Sequence, residues 1–364
     1  MKTVGILGAG GKIGFMAAKA LEGKCAIRGG SRTYKDCYEE IRGFEWQQTD
    51  LYDRDNLEKF CTGCDVVLNC TGPAGVVKER VAVVCGNMKI PYVDTSDVII
   101  TDTDARMALP RESVYVVGAG YVPGLGGLLV KWMAEKEFDQ LNRVKCFQEG
   151  RQKFSEIAFT DIVLSALSGS GKGDSYYRKG RILREHSLGA ISKVMPGAKD
   201  PVWMKSFLSD EMADVSEKYH VGELHWMNTV SDKEMMDLVM SSVQLLVTEE
   251  REEALKTIQQ RAKIYGEKEQ DDEKEWSQIV MECRGIREGV QKECTLSYEV
   301  DREEEACGMV AALAVLHLLE YAVVPGIYRI YDLVSSDEID RLIQKPEKGT
   351  FLIKTADGGK GKES

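Results

Sequence analysis

Apolar and polar positions alternate along residues 1–120 in a way that predicts strands and helices in turn. Short apolar runs bounded by glycine, proline or charged residues predict buried strands, and apolar residues three or four positions apart predict helices. After an N-terminal strand, strands are predicted at 25–28, 43–48, 65–70, 91–93 and 113–117, and helices at 15–21, 54–61 and 76–87. This alternation is typical of an α/β fold with a doubly wound parallel sheet.

From residue 121 the segments become longer and more charged, which predicts a mixed α+β second domain. Its predicted helices lie at 127–136, 158–168, 233–246 and 249–265, and its predicted strands at 140–147, 181–183 and 219–228. Segments 278–284 and 293–300, joined around 287–289, predict a β-hairpin. A surface turn is predicted at 169–173, a solvated loop at 266–274 and a disordered tail at 355–364.

A cluster of glycines separates the first predicted strand from the first predicted helix. Gly8, Gly10, Gly11 and Gly14 form a variant of the dinucleotide-binding turn, whose strict form would have glycine in place of Ile13. Such a turn directs backbone N–H groups and the positive end of the helix dipole at a pyrophosphate. Glycine clusters also occur in ordinary turns, so the prediction depends on the strand before the cluster and the helix after it.

The residues after the second predicted strand indicate which dinucleotide would bind. A site for NAD usually places Asp or Glu there to accept a hydrogen bond from the ribose 2′-hydroxyl. Residues 29–35 contain no carboxylate, and Ser31 and Arg32 are placed to bind the 2′-phosphate of NADP, with Lys35 or Arg28 assisting. Alternatively, Arg32 is a solvated surface cation.

Composition narrows the class of protein. The chain has 364 residues, enough for two cores, and its net charge of −11 without a basic cluster argues against nucleic-acid binding. The apolar stretch 306–319 is too short to span a bilayer, so we expect a core helix and no membrane partner. The ten cysteines are scattered, the Cys61–Cys64 pair lacks further metal ligands, and no signal peptide precedes the first strand. We therefore expect a cytoplasmic protein without a metal site.

Further motifs accompany the glycine turn: TDL at 49–51, NCTGP at 69–73, YVD at 92–94 and GAGYVPGL at 118–125. Together they resemble the saccharopine dehydrogenase-like reductases, which include saccharopine reductases, lysine 6-dehydrogenases and carboxynorspermidine synthases. The resemblance is good over 1–125 and weak beyond. It implies a Rossmann domain at 1–120 completed by 305–345, with an inserted domain at 121–304 that shapes the substrate pocket and the interface of a homodimer.

The resemblance also assigns roles to particular residues. It places the pyrophosphate at Gly8, Gly10, Gly11, Lys12, Ile13 and Gly14, the 2′-phosphate at Ser31 and Arg32, the adenine beside Asp50 and Leu51, and the nicotinamide ribose at Asn69, Thr71, Gly72 and Pro73. Members of the family transfer a hydride to or from the carbon–nitrogen bond of an amino-acid-derived imine or amine. Candidates to orient such a small-molecule substrate or to relay a proton are Tyr121, Asp94, His225 and Asp161.

Three classes of function stay open on the sequence. The first is an NADP-dependent oxidoreductase acting on C=N or C–N bonds, an imine reductase in the broad sense. The second is a C=C (enoyl) reductase of the same fold. The third is a non-catalytic sensor that binds NADP. Nitrogen chemistry in the product would separate the first two, and NADPH turnover with any substrate would exclude the third.

Overall fold

A computed structural model describes residues 1–151, 155–165, 171–185, 191–194, 201–230, 233–268, 275–344 and 349–355. The chain divides into two compact units. The first comprises Met1–Leu128, Ser155–Ser168 and Glu303–Glu338, and the second comprises Leu129–Phe154, Gly169–Arg302 and Ile339–Ser364.

The strands of the described part of the chain follow in sequence order. They are β1 (Thr3–Leu7), β2 (Ala26–Ser31), β3 (Phe44–Gln48), β4 (Val66–Asn69), β5 (Tyr92–Asp94), β6 (Val114–Val117), β7 (Gln140–Arg151), β8 (Gly171–Gly173), β9 (Ser175–Arg178), β10 (Arg181–Arg184), β11 (Ile191–Val194), β12 (Pro201–Ser209), β13 (Glu223–Val230), β14 (Trp276–Arg287), β15 (Val290–Val300), β16 (Gly326–Arg329) and β17 (Gly349–Thr355).

The helices are numbered in the same way. They are α1 (Lys12–Leu21), α2 (Arg54–Cys61), α3 (Ala74–Val77), α4 (Arg80–Asn87), α5 (Val98–Thr101), α6 (Thr103–Met107), α7 (Leu125–Trp132), α8 (Glu156–Ser165), α9 (Asp210–Lys218), α10 (Lys233–Thr248), α11 (Arg251–Lys268), α12 (Glu303–Glu320), α13 (Ile330–Leu333) and α14 (Ser336–Ile343). A 3₁₀ turn at Asp36–Glu40 and a π-helical turn at Met133–Glu137 complete the set.

The first unit is built on a parallel sheet with the strand order β16-β6-β5-β4-β1-β2-β3. The order reverses between β1 and β4, and in doubly wound sheets ligands bind beyond the carboxyl ends of the strands at this point. Strands β1, β4 and β6 are almost entirely buried, which explains their continuous apolar sequence. The predicted doubly wound Rossmann-type sheet with a second α+β unit is confirmed.

The second unit is a mixed sheet whose main path is β10-β9-β13-β7-β14-β15-β17. The hairpin of β14 and β15 turns at Glu288 and Gly289, which both have positive φ, as the sequence pattern predicts. The predicted surface turn at 169–173 is wrong where the structure describes it, because Gly171–Gly173 forms β8 and pairs with β12.

Several predicted boundaries move in the structure. The predicted helix 76–87 is two helices, because Lys78 has a φ of +50° and a right-handed helix cannot continue through such a residue. Helix α11 continues to Lys268, into the predicted loop 266–274. The predicted disordered tail begins inside β17, and its residues 356–364 lie outside the described residues.

The two units differ from the predicted domains mainly in the segment 155–168, and also at 121–128, 303–304 and 339–345. Helix α8 lies within the predicted second domain, yet it packs in the first unit, where Asp161 of α8 accepts a hydrogen bond from the backbone of Ala74. Strand β16 pairs in parallel with β6, so the C-terminal segment does contribute to the first sheet. No helix in the described part of the chain is both long and apolar enough to cross a membrane.

Candidate active site

The glycine turn joins β1 to α1 as the sequence predicts. Gly8 has a φ of +77°, and an added Cβ there would lie 2.7 Å from the carbonyl oxygen of Cys70 at the end of β4. Only glycine therefore allows the turn to pass so close to the neighbouring strand. The Gly11 N–H donates to the Gly8 carbonyl (2.9 Å), and α1 begins at the next residue.

The N-terminus of α1 suits an anion. Gly11 is the N-cap, its position carries no side-chain cap, and the first turn of the helix contains no acidic residue. Gly11 is exposed and Ile13 is half-buried, so the N–H groups at the start of α1 lie beside a surface free of bulky side chains at Gly11. A pyrophosphate would accept hydrogen bonds from them, and the residues present therefore fit a dinucleotide.

Lys12 has a partner in the first unit. Its ammonium group lies 2.7 Å from the Glu304 carboxylate at the start of α12. The predicted contact of Lys12 with the pyrophosphate would have to exchange or share this ion pair. Gly14, by contrast, is buried against the backbone of Gly8 and Ala9, so it serves the packing of α1 on the turn.

The end of β2 differs from the predicted arrangement at Ser31. The Ser31 hydroxyl donates to the Thr33 carbonyl (2.7 Å) and accepts from Trp46 Nε1 (2.9 Å). The Tyr38 hydroxyl lies 2.8 Å away and completes its hydrogen bonds. An added Cβ at Gly10 would lie 2.6 Å from the same Tyr38 oxygen. Tyr38 was not predicted to be near the glycine turn, although several aromatic residues follow β2 in the sequence.

The cations near β2 separate into two groups. Arg32 and Lys35 are exposed, and the Lys35 side chain lies 2.9 Å from the Cβ position of Gly10. Arg28 instead donates to the carbonyls of Phe60 (2.9 Å) and Thr62 (2.8 Å), so the idea that it assists with the 2′-phosphate is wrong.

Asp50 and Leu51 follow β3 at the same edge of the sheet, where the adenine was expected. Asp50 is exposed and Leu51 is half-buried. The Asp50 carboxylate accepts from the Tyr52 N–H (3.0 Å), and the Asp50 N–H donates to Asn56 (2.9 Å), so this turn is anchored at the start of α2.

A buried polar network connects the ends of β4 and β5. Asp94 is 4% exposed and accepts from the N–H (2.8 Å) and hydroxyl (2.9 Å) of Ser96, from Asn69 Nδ2 (3.2 Å) and from the Tyr92 hydroxyl. Asn69 Oδ1 in turn accepts from the N–H (3.2 Å) and hydroxyl (2.6 Å) of Thr71. Burial raises the pKa of Asp94, although these hydrogen bonds oppose the rise. The network holds Asn69 and Thr71 in one orientation.

Asp161 brings a second carboxylate to this end of the sheet. It accepts from the Ala74 N–H (2.6 Å), and an added Cβ at Gly72 would lie 2.9 Å from its other oxygen. Burial raises the pKa of Asp161 to about 6, with a further rise from the charge of Asp94. Pro73 is the residue just before α3. Asp161 can therefore hold a proton near neutral pH beside the predicted nicotinamide end of the site.

The loop 118–124 runs past the same strand ends. The Gly118 N–H donates to the Ser96 carbonyl (2.8 Å), and the Ala119 N–H donates to the Asp94 carbonyl (2.9 Å). Tyr121 in this loop is 5% exposed. The first unit therefore brings Asn69, Thr71, Gly72, Pro73, Asp94 and the loop of Tyr121 together.

His225 belongs to the second unit. Its Nδ1 lies 3.0 Å from the Glu185 carboxylate and its Nε2 lies 2.8 Å from Glu223, while its ring stacks on Tyr176 at 4.4 Å. Burial alone would raise the pKa of Glu223, but His225 and two nearby arginines together lower it by more, so the pKa lies below its ordinary value. Because both ring nitrogens are engaged, neither is available to a substrate in this structure.

Comparisons with known proteins identify the fold. No family model matches the chain, and neither does any curated protein sequence. Among solved structures, the chain is similar to apo saccharopine dehydrogenase (L-Glu forming) from Saccharomyces cerevisiae, with a TM-score of 0.64 and 14% identity over 98% of this chain and 100% of that chain. DAP dehydrogenase of C. glutamicum, solved in complex with DAP, superposes with a TM-score of 0.46 and 13% identity over 94% and 98% of the two chains.

Proposed function

We propose, from the premise that this chain has the fold of saccharopine dehydrogenase, that it is an NADP-dependent oxidoreductase acting on the C=N or C–N bond of an amino-acid-derived substrate. The observation that carries the proposal is the N-terminus of α1. This helix begins directly after the exposed Gly11, at the point where the strand order reverses. Likeness of fold over the full length of both chains supports the nitrogen chemistry over the reduction of a C=C bond.

The choice of NADP is supported by charge at the end of β2. Arg32 and Lys35 are exposed there, and residues 29–35 contain no carboxylate that could accept from a ribose 2′-hydroxyl. Because the Ser31 hydroxyl is engaged by Tyr38, Trp46 and Thr33, we assign the 2′-phosphate mainly to Arg32.

Bound NADPH would supply the hydride, and the chain would supply orientation and a proton. Asn69, which donates to Asp94, and Thr71, which donates to Asn69, would position the nicotinamide ribose. Reduction of an imine adds the hydride to carbon and a proton to nitrogen, and Asp161 and Tyr121 are the proposed groups to hold or relay that proton. Asp94 is then a positioning residue, because its oxygens are occupied by Ser96, Asn69 and Tyr92.

The direct test is oxidation of NADPH in the presence of mixtures that form imines. The protein would be incubated with NADPH and pairs of an α-keto acid or an amino-acid aldehyde with a primary amine, and the products analysed by mass spectrometry. A new secondary amine with loss of NADPH absorbance is expected. If NADPH is oxidised only with α,β-unsaturated carbonyl compounds and not with the imine-forming mixtures, the protein is instead a C=C reductase.

Arg32→Ala should weaken NADPH binding by about 1–3 kcal/mol, the usual contribution of a charge-assisted hydrogen bond, and leave NADH binding nearly unchanged. Calorimetric titration with both cofactors measures this difference. Arg42→Ala, which removes another exposed arginine of the first unit, is the matched control. Equal affinity of the unmodified protein for NADPH and NADH would contradict the proposed specificity.

Tyr121→Phe should slow hydride transfer roughly 10²-fold, because the phenol would no longer donate to the substrate nitrogen or to a relaying water. NADPH affinity should stay the same, since the backbone of the loop 118–124 is unchanged. Single-turnover absorbance measurements separate the two effects. If the rate does not change, Tyr121 contributes packing alone.

The proposal includes a homodimer, which the family resemblance implies, and a cytoplasmic location, which the scattered cysteines of the sequence favour.

A further inference from the structure

Glu149 is a buried carboxylate without a partner in the described part of the chain. It lies in β7 of the second unit and is 3% exposed. Both side-chain oxygens are buried, and neither accepts a hydrogen bond. Removing a carboxylate from water is costly unless donors or an opposite charge replace the water, so such a group calls for a function.

Among the described side chains, those nearest to Glu149 on β7 and β14 carry no charge. Side chains two residues apart on a strand share a face, so Phe147 lies beside Glu149. Val280 and Met227 are the register partners of Phe147 on the two adjoining strands, and with Phe147 they belong to one apolar cluster. The register partner of Glu149 itself is Gln278, whose amide donates to the Ser297 hydroxyl (2.6 Å).

Two other acids of the second unit have cationic partners. Glu223 meets His225 and two arginines, and Glu137 lies 2.6 Å from the ammonium group of Lys292. Unlike Glu149, these two carboxylates are neutralised by neighbouring cations. Burial alone raises the pKa of Glu149 to about 6, so the group is mostly ionised at neutral pH.

We propose that Glu149 binds the ammonium group of an aliphatic amine, with the apolar cluster around Phe147 contacting the methylene chain. An ammonium group offers both the positive charge and the N–H donors that the carboxylate lacks. A metal ion would need further oxygen or nitrogen ligands, and the described residues contain no group of three or more His, Cys, Asp or Glu that could hold one. The inference rests on the proposed function in taking an amine as the substrate class.

The first experiment measures binding without cofactor or turnover. The probes are n-pentylammonium and its uncharged counterpart 1-pentanol, titrated into the full-length protein at about pH 8, where the amine is charged. Pentylammonium should bind and raise the melting temperature, and 1-pentanol should not. Glu149→Gln should weaken pentylammonium binding about tenfold or more, the scale of a lost charge-assisted contact. The matched control is Glu282→Gln, an exposed glutamate on the same face of the sheet, and it should bind as the unmodified protein does.

A second readout concerns the free protein. A carboxyl group whose folded pKa lies above its ordinary value of 4.5 destabilises the fold once the pH exceeds that ordinary value. Glu149→Gln should therefore melt at a higher temperature than the unmodified protein at about pH 8, with the difference vanishing near pH 4. In the unmodified protein, the stabilisation by pentylammonium should fall as the pH drops through about 6.

Three results would overturn the proposal: equal pentylammonium binding by Glu149→Gln, equal binding of 1-pentanol, or a lower melting temperature for Glu149→Gln at about pH 8. The last would mean that the carboxylate is already compensated. Failure of the proposed function gives a different pattern, because pentylammonium would still bind through Glu149 while no imine mixture oxidised NADPH. Where a turned-over amine is found, Glu149→Gln should raise its KM and leave kcat nearly unchanged.

Discussion

Gly11→Val should weaken NADPH binding by about 100-fold or more while the protein stays folded. Gly11 has φ −83° and ψ 162°, which valine readily adopts, and the nearest atom to an added Cβ is the Gly8 carbonyl oxygen at 3.3 Å. The branched side chain would therefore fit the free protein with a small adjustment. It would project into the space in front of the α1 N–H groups, where the pyrophosphate is expected.

Calorimetric titration with NADPH and thermal unfolding of the same sample check both halves of this expectation. Gly173→Val is the matched control, because no described atom lies within 4 Å of the Cβ position at Gly173 in the second unit. That variant should bind NADPH as the unmodified protein does. A Gly11→Val protein that keeps its NADPH affinity would mean that the cofactor does not use this turn.

Asp94→Ala should lower the free energy of unfolding by about 3–5 kcal/mol, the second large effect that we expect. The substitution removes the acceptor for Ser96, Asn69 and the Tyr92 hydroxyl at once, and each buried donor left unpaired costs about 1–3 kcal/mol. Asn69 would also lose the contact that holds its amide, so hydride transfer should slow in the protein that remains folded.

Urea denaturation measures the loss of stability. The Asp94→Asn side chain has the same shape, but its NH₂ group faces the donors of one former carboxylate oxygen and cannot accept from them. Its loss of unfolding free energy should therefore lie between zero and that of Asp94→Ala. Asp104→Ala removes an exposed carboxylate from the first turn of α6 and should cost less than about 1 kcal/mol. Equal stability of Asp94→Ala and Asp104→Ala would contradict the role given to the strand-end network.

The parallel sheet could be predicted because its strands are buried on both faces. Such strands are continuous apolar runs, and β4 and β6 are found within one residue of their predicted ends. Helix α2 was predicted with its observed ends, since Asp53 supplies the N-cap and accepts from the Asn56 N–H. Helix propensity could not foresee the interruption at Lys78, which depends on how α3 and α4 pack in the fold.

The candidate site was predictable only in part. Glycines that permit close backbone approach leave a pattern in the sequence, and so does the NCTGP segment after β4. The engagement of Ser31 by Tyr38 and Trp46 leaves none, because the three residues meet only when β2, β3 and the 3₁₀ turn at Asp36–Glu40 are folded together. Arg28 was predicted to assist Arg32, and only the structure directs Arg28 to the carbonyls at the end of α2.

The periodicity of apolar residues and the glycine spacing establish the order of strands and helices and the place of the glycine turn between β1 and α1, because both are local properties of the chain. Three features required the folded protein: the place of α8 beside the strand ends, the four donors around Asp94, and the burial of Glu149 without a hydrogen-bond partner among the described residues. Asp161 and Ala74 lie far apart in sequence, and burial, which changes the energy of a carboxylate most strongly, arises only when distant segments pack together.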